Sequence, residues 1–278
     1  MQFPSKVYFN PTLVIFIGVW LCFILFLSIA VQFRQFSPLI HIPVFALQTL
    51  LGVLMFTPLH DSVHRVASKN RALNDAIMHG TWPIFLNAPQ VFKMLHLAHH
   101  AKTNQGLDDP DHFTSSKTWT GRWLRSFLLI FSYYEYALRK FQKTPANLFW
   151  MAASILVPIV CTIVSLQSPL SAGLLWAWIL PSFASTGLLA FLNTAWPHHP
   201  GDHSRKMKNT KILLVWKPLE WILFNQNLHL VHHLRPTLPW YEYPQYWREN
   251  RERLLQEGAE VVDYRKPLNE LSKSISTG

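Results

Sequence analysis

Eight of the 14 histidines in this 278-residue chain fall into three tight clusters: His60-Asp61-Ser62-Val63-His64, His96-Leu97-Ala98-His99-His100 and His229-Leu230-Val231-His232-His233. Neutral imidazole is the commonest nitrogen ligand for transition metals. Spacings of i, i+3 and i+4 put side chains on one face of a helix, so each cluster is a comb of donors. A catalytic zinc takes about three protein ligands, so this many nitrogen donors exceeds one ion and suits two. Ligand type excludes oxygen-rich magnesium or calcium sites. Zinc proteases of the HExxH kind are disfavoured because no Glu stands between the paired histidines. A bis-histidine haem would need histidines inside the apolar runs, where only His41 lies. Two irons fit best.

Long apolar segments must position these combs. Thr12 to Phe33 is an unbroken apolar run, and a second goes from Pro38 to Leu59. A third covers Asn147 to Leu166 and a fourth Leu170 to Leu192. Each is long enough to cross a hydrocarbon core of about 30 Å as a helix. The short links Arg34-Gln35-Phe36-Ser37 and Gln167-Ser168-Pro169 permit only tight antiparallel hairpins. The expected fold is therefore all-α and integral to the membrane, one domain over residues 1–278 with four spans in two hairpins. Residues 60–146 and 193–278 form a polar helical cap on one side.

Charge assigns that side. The two polar regions hold eleven and twelve Lys or Arg, the first hairpin turn holds Arg34 and the second none, while Lys6 precedes the first span. The positive-inside rule places the cap and both termini in the cytoplasm; the expected location is a bacterial inner membrane. The hairpins then deliver all three combs to one face at one depth. Leu59 closes the second span, so His60 and His64 emerge at its cytoplasmic end. Within the cap, Ala88 to Met94 and Trp119 to Leu138 read as helices lying at the membrane face, with Trp119, Trp123 and Tyr133 near the headgroups. The tail from Glu249 reads as a charged surface helix that frays after Asp263.

Composition agrees. Half of the residues are hydrophobic and only 14% are charged, with 12 Trp and 19 Phe. The net charge of +10 follows the membrane segments, and no nucleic-acid-binding motif interleaves it. Cys22 and Cys161 sit inside apolar runs and read as buried, leaving no disulfide framework or thiolate site. The first run is too long for a secretory signal, and the N-terminus is not Arg/Ser-rich like a transit peptide.

The HxxxH, HxxHH and HxxHH boxes at the cap ends of hairpin spans resemble the membrane fatty acid desaturase and hydroxylase superfamily, from His60 to about Tyr246. Finer features are similar to its cyanobacterial-type β-carotene hydroxylases. These are His99-His100-Ala101-Lys102-Thr103-Asn104, Asp108-Asp109-Pro110-Asp111-His112-Phe113, Pro197-His198, and Gln226-Asn227-Leu228-His229 through Arg235-Pro236, then Pro239-Trp240-Tyr241.

The resemblance implies two non-haem irons that use O2 against an unactivated C–H bond, held by His60, His64, His96, His99, His100, His198, His229, His232 and His233. It implies a lipophilic substrate drawn from membrane lipid, the β-ring of β-carotene hydroxylated at its 3-position, and a separate electron donor such as a ferredoxin. Asp61, Asp109 and Asp111 are candidate acceptors for ligand N–H groups, or else solvated loop and capping residues. His112 could join them. Asn193 is a further candidate ligand, although it stands five residues before His198 where the family spacing is four. His199 competes with His198. His41, His79 and His203 read as structural. His199-Pro200-Gly201 is similar to the haem motif of cytochrome b5, but Asp202 replaces the second glycine and no acidic domain flanks it. Two rivals stand beside this reading: an acyl-lipid desaturase with the same site, and a non-catalytic membrane metal-binding protein, which would need polar residues along its spans.

Overall fold

Helix-starting chemistry is concentrated at a few prolines. Pro11, Pro38, Pro89 and Pro145 each occupy the first turn of a helix, where the missing N–H costs nothing. Asn10 and Thr144 add side-chain caps, accepting from Leu13 N and Asn147 N. The computed structural model describes residues 10–266 apart from 202, 203 and 205, so His203 and Lys6 lie outside the described residues. Among the described residues, four helices are long and apolar enough to cross a membrane: α1 (Pro11–Val31), α2 (Pro38–Val63), α7 (Pro145–Gln167) and α8 (Ser171–His198). Between the hairpins stand α3 (Arg71–Gly80), the single turn α4 (Trp82–Phe85), α5 (Pro89–Lys102) and α6 (Trp119–Lys140). After α8 come β1 (Lys211–Leu214), α9 (Lys217–Ile222), α10 (His229–Leu234), α11 (Tyr243–Gln256) and β2 (Glu260–Asp263).

The four expected spans are present, and two run further into the cap than hydropathy marks. Nothing after Leu59 breaks the helix, so α2 continues to Val63 and carries the first histidine box on its own last turn. In α8, Leu175–Ile179 and Ala190–Ala195 are π-helical, and the helix ends at His198. A π turn bonds i to i+5. The spacing of five from Asn193 to His198 thus begins inside a π turn, which accommodates one extra residue without moving the following ones off their face. The Cys22 side of α1 is exposed, and Cys161 is only half-buried, because both spans turn those faces outward.

The second histidine box is positioned differently from expectation. Ala88 to Met94, expected at the membrane face, belong instead to a segment, residues 71–102, that dips into the bundle and returns. Trp20 Nε1 of α1 donates to Gly80 O (3.0 Å), Trp178 Nε1 of α8 to Pro83 O (2.6 Å) and Ser182 Oγ to Ile84 O (2.6 Å). Ala88 N donates to Ser154 Oγ of α7 (3.0 Å). Irregular backbone among spans is tolerated only where its polar groups find partners in protein, and here side chains from three spans supply them. α5 then climbs out of the bundle with His96, His99 and His100 on its last turns. By contrast, α6 packs against α8, with Trp119 and Trp123 exposed. Tyr133 turns inward instead, its hydroxyl 2.6 Å from Asp111 Oδ1.

The C-terminal part also departs from a fraying helix. α11 stops at Gln256, Gly258 takes a positive φ of 94°, and Glu260-Val261-Val262-Asp263 form β2, paired in parallel with β1 from Lys211↔Glu260 to Leu214↔Asp263. Glycine at such a φ ends helices, and β-branched pairs favour strands. This small sheet and α11 bury Leu230 and Val231 against Ile212, Tyr243, Trp247 and Leu254. That packing pins the six-residue α10, too short to hold itself, with its histidines facing the other combs.

Candidate metal centre

All nine expected histidines converge at the cap end of the bundle, arriving on α2, α5, α8 and α10. They divide into two adjoining groups. In the first, the facing nitrogens are all Nε2: His60 to His232 at 3.0 Å, His232 to His100 at 2.8 Å, His100 to His96 at 3.1 Å and His96 to His64 at 2.8 Å. In the second, donor nitrogens of His99, His198 and His233 lie within 4.8 Å of one another. The His100 and His233 rings, 4.3 Å apart, join the two groups. His229 packs its ring on His198 and His233 (centroids 4.8 and 4.9 Å) and lies outside the closest donor sets.

The arrangement fits metal ions better than hydrogen bonds. An imidazole nitrogen has one in-plane bonding direction, yet Nε2 of His232 and of His96 each faces two others. Donors about 3 Å apart match the edge of an octahedron whose metal–nitrogen bonds are about 2.1 Å. His99 Nε2, His198 Nε2, His233 Nε2 and His229 Nδ1 are buried and find no hydrogen-bond partner among the described residues. Buried polar nitrogens rarely stay so, and these point to a cation.

Opposite ring nitrogens are held by the surrounding protein. Tyr243 Oη lies 3.1 Å from His232 Nδ1, and His198 Nδ1 donates to Asn209 O at 3.2 Å. Thr103 Oγ1 stands 3.5 Å from His233 Nδ1. His99 Nδ1 sits 2.8 Å from Asp109 Oδ1 and 3.4 Å from Asp111 Oδ2. Such outer contacts choose the tautomer and aim the other nitrogen at the metal. Burial drives the other imidazoles toward the neutral, ligating form: His64 falls to about 4, His229 to about 3 and His100 to about 2, while His96, His232 and His233 lie well below the usual range. His99 goes the other way. Burial opposes its charge, but Asp111 and Asp109 outweigh that and raise it to about 9, making it the most basic nitrogen of the cluster.

Of the candidate acceptors, Asp109 and Asp111 stand against His99. Asp61 does not hydrogen-bond a histidine: it lies 3.7 Å from His60 Nδ1, beyond hydrogen-bond reach, and accepts from Thr12 Oγ1 at 3.3 Å. His199 leaves the cluster, with Nε2 3.0 Å from Thr114 Oγ1. His41 is buried at the far end of α2 against Phe33 and Phe36, and His79 stacks on Trp150. Tyr243, Asn209, Thr103 and Tyr133 were not singled out as site residues from the sequence. Their roles arise from packing between distant segments, and no spacing rule marks them.

Beneath the histidines lies a cavity of about 570 Å³. His96, His99, Asp111, Asn193 and His229 line one end, and Phe56, Leu59, Phe92, Leu129, Phe183 and Leu189 are among its apolar walls. Asn193 donates to Leu189 O (3.3 Å), so its amide nitrogen is already engaged within α8.

The fatty acid desaturase family model matches residues 36–265. A beta-carotene ketolase of Paracoccus sp. (strain N81106 / MBIC 01143) is 26% identical over 217 residues, 74% of this chain and 79% of that one. Beta-carotene 4-ketolase 3 of Haematococcus lacustris is 28% identical over 220 residues, 75% of this chain; the match spans 62% of that longer relative.

Proposed function

Since the chain belongs to the fatty acid desaturase family, we propose that it is a membrane oxygenase whose histidines hold two irons and which oxidises the β-ring of a carotenoid, first by hydroxylation at the 3-position. The observation that carries this is the apolar cavity that ends on the histidine cluster. Iron held in this way supplies the activation of O2 needed to attack an unactivated C–H bond. The protein does the rest. Phe56, Leu59 and Phe92 keep water from the inner end, and Tyr243, Asn209 and Asp109 hold Nδ1 of their histidines so that Nε2 faces the cluster. The cavity wall fixes which carbon of the ring stands beneath it.

The curated relatives support a carotenoid ring as the substrate, since both are named for ketolation of beta-carotene. They also favour a second reading, oxidation to a ring ketone. Expression in cells that accumulate β-carotene separates these: zeaxanthin supports hydroxylation, canthaxanthin supports ketolation, and new double bonds in membrane lipids with unchanged carotene contradict both. A non-catalytic metal-binding role is poorly supported, because such a protein needs an ionisable pathway along its spans. Electrons in this reading come from a separate small carrier such as a ferredoxin, steered by the basic cap, with both termini on the cytoplasmic side of an inner membrane.

A further inference from the structure

The cavity opens sideways. Its mouth is framed by Phe127 and Phe131 of α6, Ile155, Ile159 and Ile163 of α7, and Phe183 of α8, each between 40 and 68% exposed. Counted from Asn147 at 1.5 Å per residue, the three isoleucines stand about 12 to 24 Å along α7. That is well inside a hydrocarbon core of about 30 Å. Among the described residues, no Lys or Arg lines the cavity. The hydroxyls of Thr162 and Thr186 donate within their own helices, to Pro158 O (2.7 Å) and Ser182 O (2.8 Å). Nothing at the mouth therefore holds a phosphate, carboxylate or other headgroup, which a lipid would in any case keep at the interface.

Phe127 owes its place in this frame to a missing side chain opposite. A Cβ on Gly187 of α8 would stand 2.6 Å from Phe127 Cε1 and 2.7 Å from Cγ. A contact that reaches the base of the ring cannot be relieved by bending its tip. Trp123 fills the place one turn back on α6 (ring centroids 5.1 Å apart), so a displaced Phe127 has the mouth to turn into.

We propose that this opening is a lateral portal at mid-bilayer depth for the hydrocarbon end of a lipid with no polar headgroup, and that the Phe127–Gly187 contact sets its width. The proposal rests on the carotenoid reading above and adds where the molecule enters and which pair selects it.

The test loads full-length protein with β-carotene from phosphatidylcholine liposomes without O2, so that nothing is consumed, then counts bound carotene and bound acyl lipid after transfer to detergent. Wild type is expected to retain carotene, Gly187→Ala about tenfold less, and Gly187→Ala/Phe127→Ala within about twofold of wild type. Unchanged loading of Gly187→Ala overturns the portal and leaves the substrate reading intact. Wild-type protein that takes up phosphatidylcholine in preference to carotene overturns the headgroup-free claim and the substrate reading with it. Normal gating of carotene with no ring product in cells overturns the function alone. Should Gly187→Ala fail to accumulate, Phe127→Ala carries the test: it widens the mouth and should load carotene faster than wild type, and an unchanged rate overturns the proposal.

Discussion

Tyr243 and His232 meet inside the cap, hydroxyl to Nδ1, 3.1 Å apart and both buried. The contact comes from two elements after the last span, α11 and α10, and it leaves His232 Nε2 facing both His60 and His100. His232 is thus the nitrogen on which the first donor group turns. Replacing Tyr243 by Phe keeps the ring and its packing but frees the imidazole to rotate. Metal affinity should fall about 10- to 100-fold, as for other outer-contact losses. Equilibrium competition with a chelator reads this directly, and an unchanged affinity would show that Tyr243 serves packing only.

His232→Ala should abolish turnover while the chain stays inserted, because the four spans do not depend on that side chain. Product analysis and membrane fractionation check the two halves separately. Near-normal turnover would remove His232 from the proposed ligand set.

The metal-free protein should be most stable near neutral pH. His64, His229 and His100 bind protons less readily when folded, at about 4, 3 and 2 against an ordinary 6.5. Their contribution is full above about 6.5 and falls as pH drops, because the unfolded chain takes up protons first. His99, raised to about 9, has the opposite sign: its contribution is full below 6.5 and is lost as pH rises through about 9. Thermal unfolding in detergent across this range should show both limbs. Asp109→Asn should weaken the alkaline one selectively, and an alkaline limb unaltered by that change would disprove its assignment to His99.

Trp178→Phe tests the dipping segment without touching the histidines. It removes the donor to Pro83 O on an exposed face of the bundle, which within a span meets lipid rather than water. A loss of about 1–3 kcal/mol in unfolding free energy is expected, with metal content unaltered. An unaltered stability would mean that the carbonyl finds another partner.

Much of this was legible in the sequence. The apolar runs, the two short links and the three combs dictate four spans with histidines at one end, since a period-3.6 comb at a helix terminus has few other places to go. Residues 71–102 were not legible: their apolar stretches are too short to register as spans, and their polar backbone is satisfied by Trp20, Trp178 and Ser182, which no local pattern connects to them. The extension of α2 through His60 followed from the absence of a breaker, a weaker signal than the end of the apolar run. Asp61 misled because neighbours in sequence diverge by about 100° on a helix, so its carboxylate turns to Thr12. The strand β2 was hidden by the charged sequence before it, although Gly258 and the pair Val261-Val262 marked it.

What the nine converging histidines hold decides the chemistry of the site. Elemental analysis of full-length protein, purified without chelators or an affinity metal, measures it. Roughly two iron atoms per chain are expected, falling to about one or fewer in His198→Ala. Zinc in place of iron, or no tightly held metal, would contradict the proposed centre and the oxidation that depends on it.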